Sequence, residues 1–423
     1  MCGLAGFVDR SLQTEADSLR RTVQRMADTL VHRGPDDGGV WVDAEAGVAL
    51  GHRRLSIIDL SPTGHQPMTS RDGRYVIAYN GEVYNFPDLR RELEADGVGF
   101  RGTSDTEVII EACAHWGAEA AIKRLNGMFA FALWDRREQR LILARDHMGI
   151  KPLFWGHFGG LLLFGSELKA LRAHPGWQPR IDRQALASYL RHFYVPAPAS
   201  IYEGICKLKP GHMLTWQPGQ APRISCYWNL RHTAVSGHQD PYAGTPEAAL
   251  EELDWLLKDS VKRQMVSDVP LGAFLSGGID SSAVVALMQA QSSRPVRTFS
   301  IGFSDQGFDE APHARAVAAH LGTEHTKYYA QPRDAMDLIP KLHQFYDEPF
   351  ADSSQLPTFL VSQLARRDVT VALSGDGGFY VSLGELATAV QERVDVAFVV
   401  MNDKGYGVIR NIQDANFGGR RHY

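Results

Sequence analysis

Over the first 230 residues, short apolar runs recur at 3–8, 39–42, 48–51, 75–79, 128–134, 141–144 and 161–165, and each predicts a β-strand. Between them, apolar residues fall three and four apart. Residues 14–30 carry Val23, Met26, Ala27 and Leu30 on one face beside Arg20, and 88–95 and 106–115 repeat this helical spacing. Many strands flanked by helices predict a layered α/β or α+β unit closing near Trp228. Residues 232–246 are rich in Gly, Pro, Ser, Thr and His and read as a linker. A different rhythm follows. Thr245 as N-cap, Pro246 at the first helical position and Glu247 in the first turn start a helix striped by Leu250, Leu253, Leu257 and Val261. An apolar strand at 271–275, a Gly turn, a helix at 281–289 and a strand at 296–302 then make a βαβ unit, which implies a parallel sheet. Helices at 311–321 and 356–367, a strand at 369–373 and a turn at 374–378 repeat the alternation. Beyond it, a helix at 380–393 with Leu383, Leu386, Ala387 and Val390 on one face is expected, then a buried strand at 394–401.

Composition narrows the class. At 423 residues the chain has room for two or three domains. Lys and Arg number 44 against 49 Asp and Glu, giving −5, with 44% hydrophobic and 22% charged residues, the balance of a soluble globular protein. There is no basic footprint, so nucleic acid is not an expected partner. No apolar run approaches the roughly 20 residues of a membrane span, and the N-terminus lacks the basic region of a secretion signal. A cytoplasmic protein without membrane or nucleic-acid partners is expected. The four cysteines, Cys2, Cys113, Cys206 and Cys226, form no CxxC pair, which argues against a disulfide framework and a zinc site.

The chemistry starts at Cys2. A small residue at position two normally permits removal of the initiator Met, leaving a thiol and a free α-amine on one residue. With a pKa of about 7.7–8.0, that amine can take the thiol proton through water. By itself a second-position Cys is weak. It is followed, however, by Gly3-Leu4-Ala5-Gly6, His32-Arg33-Gly34-Pro35-Asp36, Arg54-Leu55-Ser56-Ile57-Ile58-Asp59, Tyr79-Asn80-Gly81-Glu82 and Ser104-Asp105-Thr106-Glu107, in that order. Together these resemble the glutaminase domain of class II glutamine amidotransferases, the N-terminal nucleophile hydrolases. The resemblance implies an αββα sandwich over residues 1–231. It also implies that Cys2 attacks the glutamine amide, with the Asn80 side chain and the Gly81 N–H as oxyanion hole. Arg54 would grip the substrate carboxylate as a fork, and Asp105 with Glu82 would neutralise its ammonium. Taken singly, Asn80-Gly81 is also a hairpin turn and Arg54 a surface residue.

Ser276-Gly277-Gly278-Ile279-Asp280-Ser281-Ser282 lies between a predicted strand and a predicted helix, where glycines allow phosphate oxygens close to backbone and the helix start offers donors. It lacks the Lys of the common phosphate loop and resembles the pyrophosphate loop of ATP pyrophosphatases, in a doubly wound parallel sheet over 247–378. On that resemblance ATP is bound with Mg²⁺ on Asp280, and the next strand, with Ile301, offers backbone to adenine. Glutaminase followed by pyrophosphatase resembles glutamine-dependent asparagine synthetase. In that family ATP adenylates the aspartate side chain and channelled ammonia displaces AMP; the substrates implied are glutamine, ATP and aspartate, and a homodimer is allowed. Tyr346-Asp347-Glu348-Pro349 and Asp352-Ser353-Ser354 resemble the approach to the acceptor site, although a helix cap at Ser353 or Ser354 reads equally well.

The resemblance changes after Ser374-Gly375-Asp376-Gly377-Gly378. These residues match a second pyrophosphate loop, with Asp376 as a further Mg²⁺ ligand, but the family's Asp-Glu pair and later catalytic Lys are missing. The synthetase half is thus read as truncated. Residues 379–423 instead resemble the cofactor domain of thiamine-diphosphate enzymes of the acetolactate synthase and benzoylformate decarboxylase kind, with Asp376 and Asn402 spaced 26 apart. A chimera joined at the shared GDGG letters is expected. Thiamine diphosphate binding is not, because neither an activating glutamate nor a pyrimidine-binding domain is found upstream. A glutaminase with a crippled synthetase half is the alternative reading.

Overall fold

The computed structural model describes residues 2–9, 15–303 and 309–374. The expected helix at 380–393 and strand at 394–401, and with them Gly375, Asp376, Gly377 and Asn402, lie outside the described residues.

Two six-stranded antiparallel sheets occupy the first half. One runs, edge to edge, Ile205–Lys207, Phe154–Phe158, Leu161–Gly165, Gly3–Asp9, Val48–Arg54, Asp37–Asp43. The other runs Arg223–Cys226, His212–Trp216, Arg140–Arg145, Gly127–Asp135, Tyr75–Val83, Met68–Thr69. Because successive strand residues point to opposite faces, each apolar run serves two cores. Leu4 and Val8 join Val76 and Ala78 between the sheets, around the wholly buried Trp134. Ala5 and Phe7 face the helix Ala16–Asp28, while Tyr75, Ile77 and Tyr79 meet the helices Phe86–Ala95 and Asp105–Trp116. The layers are helix, sheet, sheet, helix, the αββα order expected.

The second half holds a parallel sheet in the order Glu324–Ala330, Arg297–Phe303, Leu271–Phe274, Val371–Leu373. Val261, Val285, Met288, Ala314 and Ala318, from three helices, cover one face around Ala273 and Leu275. Leu364 and Ala365 of the helix Gln355–Ala365 cover Phe299 and Val369 on the other. Helices on both faces make the sheet doubly wound. Its strand order reverses between Leu271–Phe274 and Val371–Leu373, which pair from Leu271 with Val371 to Ala273 with Leu373. Such a switch point opens a crevice at the carboxyl ends of the two strands, where the loops beginning at Ser276 and Ser374 emerge.

Several elements depart from the sequence pattern, three of them in the second half. The presumed linker contains a helix, Leu230–Gln239, capped by Asn229, whose side chain accepts from the His232 N–H at 3.0 Å. It buries no side chain, so no apolar period announced it. The edge strand Glu324–Ala330 is mostly polar and half exposed, and reads as a strand only through its pairing with Arg297–Phe303. The helix predicted from 281 starts at Ile279, which puts Asp280 in its first turn. No helix among the described residues is long and apolar enough to cross a membrane.

Candidate active site

Cys2 precedes the central strand Gly3–Asp9 and is half-buried. Its Sγ accepts from the Leu55 N–H at 3.4 Å and lies 3.6 Å from the Leu55 carbonyl, while Arg33 Nε donates to the Cys2 carbonyl at 2.8 Å. Burial pushes the thiol pKa up, partly offset by the Leu55 N–H and the Lys151 ammonium. The thiol therefore rests protonated, as a nucleophile awaiting a base does.

Asn80 and Gly81 lie in the facing sheet, and His52 ties the two sheets together at this end. His52 pairs with Leu4 across the first sheet, and its Nε2 lies 2.8 Å from the Tyr79 carbonyl. Asn80 is wholly buried, yet neither Nδ2 nor Oδ1 has a hydrogen-bond partner among the described residues. An orphaned amide of this kind costs about 1–3 kcal/mol. At the residues on either side, the Tyr79 N–H goes to Gln66 Oε1 at 2.7 Å and the Val83 N–H to Asp105 Oδ2 at 3.0 Å. By the period of two, the Gly81 N–H faces that same side. A Cβ on Gly81 would lie 2.3 Å from the Met128 carbonyl oxygen, so packing also requires glycine there.

Asp105 is buried at the start of its helix. Burial pushes its pKa up, opposed by hydrogen bonds from the Tyr79 hydroxyl at 2.7 Å and the Val83 N–H. Glu82 is pushed up to about 7, first by burial and then by Asp105, against the pull of Lys151. Burial pushes Lys151 down, with Glu82 opposing. Lys151, 3% exposed, was not singled out from the sequence; a lysine in the turn Gly149-Ile150-Lys151-Pro152-Leu153 was the available signal. Its turn is built on Asp146, which accepts from the N–H groups of Met148, Ile150 and Lys151 at 2.9–3.1 Å.

Arg54, expected to grip a carboxylate as a fork, gives its donors to neighbouring carbonyls. Its Nη1 donates to the Ser61 carbonyl at 3.3 Å, and Nη2 donates to the carbonyls of Ile58, at 3.3 Å, and of Asp59. It thereby shapes the loop that carries Leu55. Asp59 closes that loop at φ +60° and accepts from Ser61 Oγ at 2.6 Å, Thr63 Oγ1 at 2.7 Å and the Thr103 N–H at 3.0 Å. Burial opposes the charge, but these donors hold Asp59 at about 2.

The second candidate site is the crevice of the parallel sheet. Gly277 adopts φ +82°, and a Cβ there would lie 2.6 Å from the Ala314 N, so glycine is required twice over. Gly278 caps the helix Ile279–Gln291. The hydroxyls of Ser276, Ser281 and Ser282 are engaged in the turn itself. Ser281, 6% exposed, lies 2.8 Å from Ser276 Oγ and donates to the Gly278 carbonyl at 3.2 Å, and Ser282 donates to that carbonyl at 2.7 Å. The donors left are the first backbone N–H groups of Ile279–Gln291, which have no partner within the helix. Ile301 is half-buried beside Tyr328, and Ser374 is exposed after the neighbouring strand. Asp280 offers a hard carboxylate oxygen beside an anion loop. That suits Mg²⁺, which takes one or two carboxylates and completes its shell with phosphate oxygens and water.

Asp347 and Glu348, expected near the acceptor, reach back to the first half. Asp347 pairs with Lys169 Nζ at 3.2 Å and accepts from the Lys169 N–H at 2.8 Å; Glu348 pairs with Lys207 at 2.7 Å and accepts from the Ile201 N–H at 2.8 Å. Asp268, eight residues before Ser276, donates its N–H to the Ile57 carbonyl at 2.9 Å and accepts from the Asp59 N–H at 2.8 Å. The loop over Cys2 is thus clamped to the strand that feeds the anion loop.

Three protein families match the chain: a glutamine amidotransferase domain over residues 1–228, asparagine synthase over 252–384, and the C-terminal TPP-binding domain of thiamine pyrophosphate enzymes over 353–423. Asparagine synthetase [glutamine-hydrolyzing] 1 of Bacillus subtilis is 38% identical over 378 residues, covering 89% of this chain and 58% of that protein. Putative asparagine synthetase [glutamine-hydrolyzing] 2 of Methanocaldococcus jannaschii is 36% identical over 398 residues, covering 89% and 74%. The chain spans about six tenths of the length of the two Bacillus subtilis relatives numbered 1 and 3. Among solved structures, a glutamine phosphoribosylpyrophosphate amidotransferase from B. subtilis has a TM-score of 0.41 at 18% identity, covering 79% of this chain and 70% of that one.

Proposed function

The chain belongs to the glutamine-hydrolysing asparagine synthetase family, and on that premise we propose that it hydrolyses glutamine at Cys2 and delivers the ammonia to an ATP-activated carboxylate, that of aspartate. The observation that carries the first half-reaction is Asn80. A buried amide without partners, on the strand opposite the thiol, is a donor kept for a charge that appears only during reaction. Cys2 Sγ attacks the side-chain carbonyl, its proton passing to the α-amine, and the oxyanion takes hydrogen bonds from Asn80 Nδ2 and the Gly81 N–H. Ammonia leaves, and water releases glutamate from the thioester. Glu82 and Asp105 would face the substrate ammonium. Arg54 would hold the carboxylate only by sharing donors now given to Ile58, Asp59 and Ser61.

For the second half-reaction, ATP would lie over Ser276–Ser282, its phosphates on the backbone N–H groups at the start of Ile279–Gln291 and its adenine toward Ile301. Asp280, joined by Asp376, would hold Mg²⁺, which when bound would supply positive charge for the leaving pyrophosphate. Ser374, Gly375 and Gly377 would grip the same phosphates from the adjacent strand. The domains we assign are a glutaminase at 1–231, a connecting segment at 232–246 and a partial synthetase at 247–378. The protein would work in the cytoplasm, and a homodimer would appear by light scattering.

A specific observation favours a second reading: from residue 353 the chain also matches a thiamine pyrophosphate enzyme domain. On this reading 379–423 is a graft, the chain is a chimera, and the glutaminase works beside a synthetase half lacking its acidic pair. Incubating the protein with glutamine, ATP, Mg²⁺ and aspartate and quantifying glutamate, AMP and asparagine together tests both. Glutamate release that disappears in Cys2→Ala supports the glutaminase, and its persistence there removes it. Asparagine formed one-for-one with AMP supports the synthetase over the chimera.

A further inference from the structure

A continuous run of charged hydrogen bonds leads from the nucleophile to the second half of the molecule. Arg33 Nε donates to the Cys2 carbonyl at 2.8 Å, and Arg33 Nη1 to Glu167 Oε1 at 2.7 Å. Lys169 Nζ meets the other oxygen, Glu167 Oε2, at 2.6 Å and Asp347 Oδ1 at 3.2 Å, and also donates to the Gln344 carbonyl at 3.0 Å. His32 adds a contact to Glu167 at 3.1 Å. The four charged side chains are only 9–20% exposed. Charges so withdrawn from water gain little net stability over apolar packing, and their retention points to positioning. Glu167 is shared between Arg33 and Lys169, and Lys169 between Glu167 and Asp347. Lys169, itself held by Asp347 and the Gln344 carbonyl, fixes the carboxylate that seats Arg33 against the main chain of Cys2.

We propose that Lys169 is a positioning residue for Cys2, transmitting the seating of Gln344 and Asp347 through Glu167 and Arg33 to the nucleophile. Asp347 stands four residues before Ala351, whose N–H donates to the Phe193 carbonyl at 2.9 Å, and the chain then enters the helix Gln355–Ala365 that covers the parallel sheet. Glutamine hydrolysis is thereby made to depend on the conformation of the segment leading into the synthetase half. This rests on Cys2 being the glutaminase nucleophile, but its test does not require turnover.

The test is the second-order rate of Cys2 carboxamidomethylation by iodoacetamide, read by mass spectrometry of the N-terminal peptide. The thiolate displaces iodide, so the rate reports how the thiol is held and ionised. Lys169→Met and Asp347→Asn should each lower it about fivefold or more, the scale of a typical coupling between sites. The double variant should lower it no further, and Lys169→Arg should restore most of it. Lys207→Met breaks the parallel pair with Glu348, 2.7 Å apart, without touching the relay, and should leave the rate at the parent value. Equal slowing by Lys207→Met, additive slowing in the double variant, or an unchanged rate in Lys169→Met would each overturn the proposal. Absence of glutamate release by the parent would instead remove the nucleophile assignment and leave this comparison readable.

Discussion

Asn80 is held where stability alone would not place an amide. Both of its polar atoms are buried without partners among the described residues, and Leu has the same branched shape without that penalty. Asn80→Leu should therefore match or raise the thermal midpoint while lowering kcat for glutamine hydrolysis by about a hundredfold or more, the usual loss for one oxyanion donor. A variant both unstable and active would refute the assignment. Glu82 makes a second case. Its pKa is raised from the ordinary 4.5 to about 7, so between those values the folded protein retains a proton that the unfolded chain has lost. Its favourable contribution is complete below pH 4.5 and is lost as pH rises toward 7. Glu82→Gln should match the parent's stability in acid and exceed it above pH 7, as chemical denaturation at the two pH values would reveal. If ionised Glu82 balances the substrate ammonium, the parent KM for glutamine should fall as pH rises through about 7, by up to about tenfold per unit below it. In Glu82→Gln this dependence should be flat. Cys2, Asn80, Glu82 and Asp105 were legible as letters in ordered motifs. The protonation of Cys2, Glu82 and Asp105 was not, because it depends on burial and, for Cys2 and Glu82, on Lys151, far away in sequence.

At the scale of elements, legibility followed burial. The runs at 3–8 and 75–79 are strands because each feeds a core on both faces, so the pattern that predicts them is the packing that holds them. The helix Leu230–Gln239 and the strand Glu324–Ala330 bury little, and their sequences carried no such mark. The anion loop was read correctly as a strand-to-helix turn, yet its serines proved to brace the turn. A hydroxyl bonded inside the loop and one aimed at phosphate look alike in sequence. Glycine is the better predictor here. At Gly277 an added Cβ would meet backbone at 2.6 Å, and φ is +82°. Gly277→Ala should therefore distort the loop, weaken ATP binding at least tenfold by calorimetric titration, and leave glutamate release within about twofold of the parent. A parent-like ATP affinity in that variant would place the nucleotide elsewhere.

Across the whole molecule the two candidate sites are joined rather than merely adjacent in sequence. Asp268 holds the loop over Cys2, Asp347 and Glu348 reach Lys169 and Lys207, and Arg263 pairs with Asp88 at 2.6 Å. The first half has all the groups proposed for glutamine hydrolysis among the described residues. The crevice of the parallel sheet presents its first loop there, whereas Asp376 of the second lies outside them, within the stretch 353–384 where two family matches overlap. Adenylation places growing negative charge on departing pyrophosphate, and a single carboxylate at Asp280 holds a divalent cation less firmly than a pair does. If residues 379–423 are a graft, binding of ATP and transfer from it should thus separate in this chain: calorimetric titration would detect Mg²⁺-ATP binding, and a timed assay would yield glutamate far in excess of AMP, with free ammonia accounting for the difference. Adding aspartate should change the glutamate rate little. One-to-one glutamate, AMP and asparagine would instead mean that the residues from 375 onward complete the site despite their altered sequence.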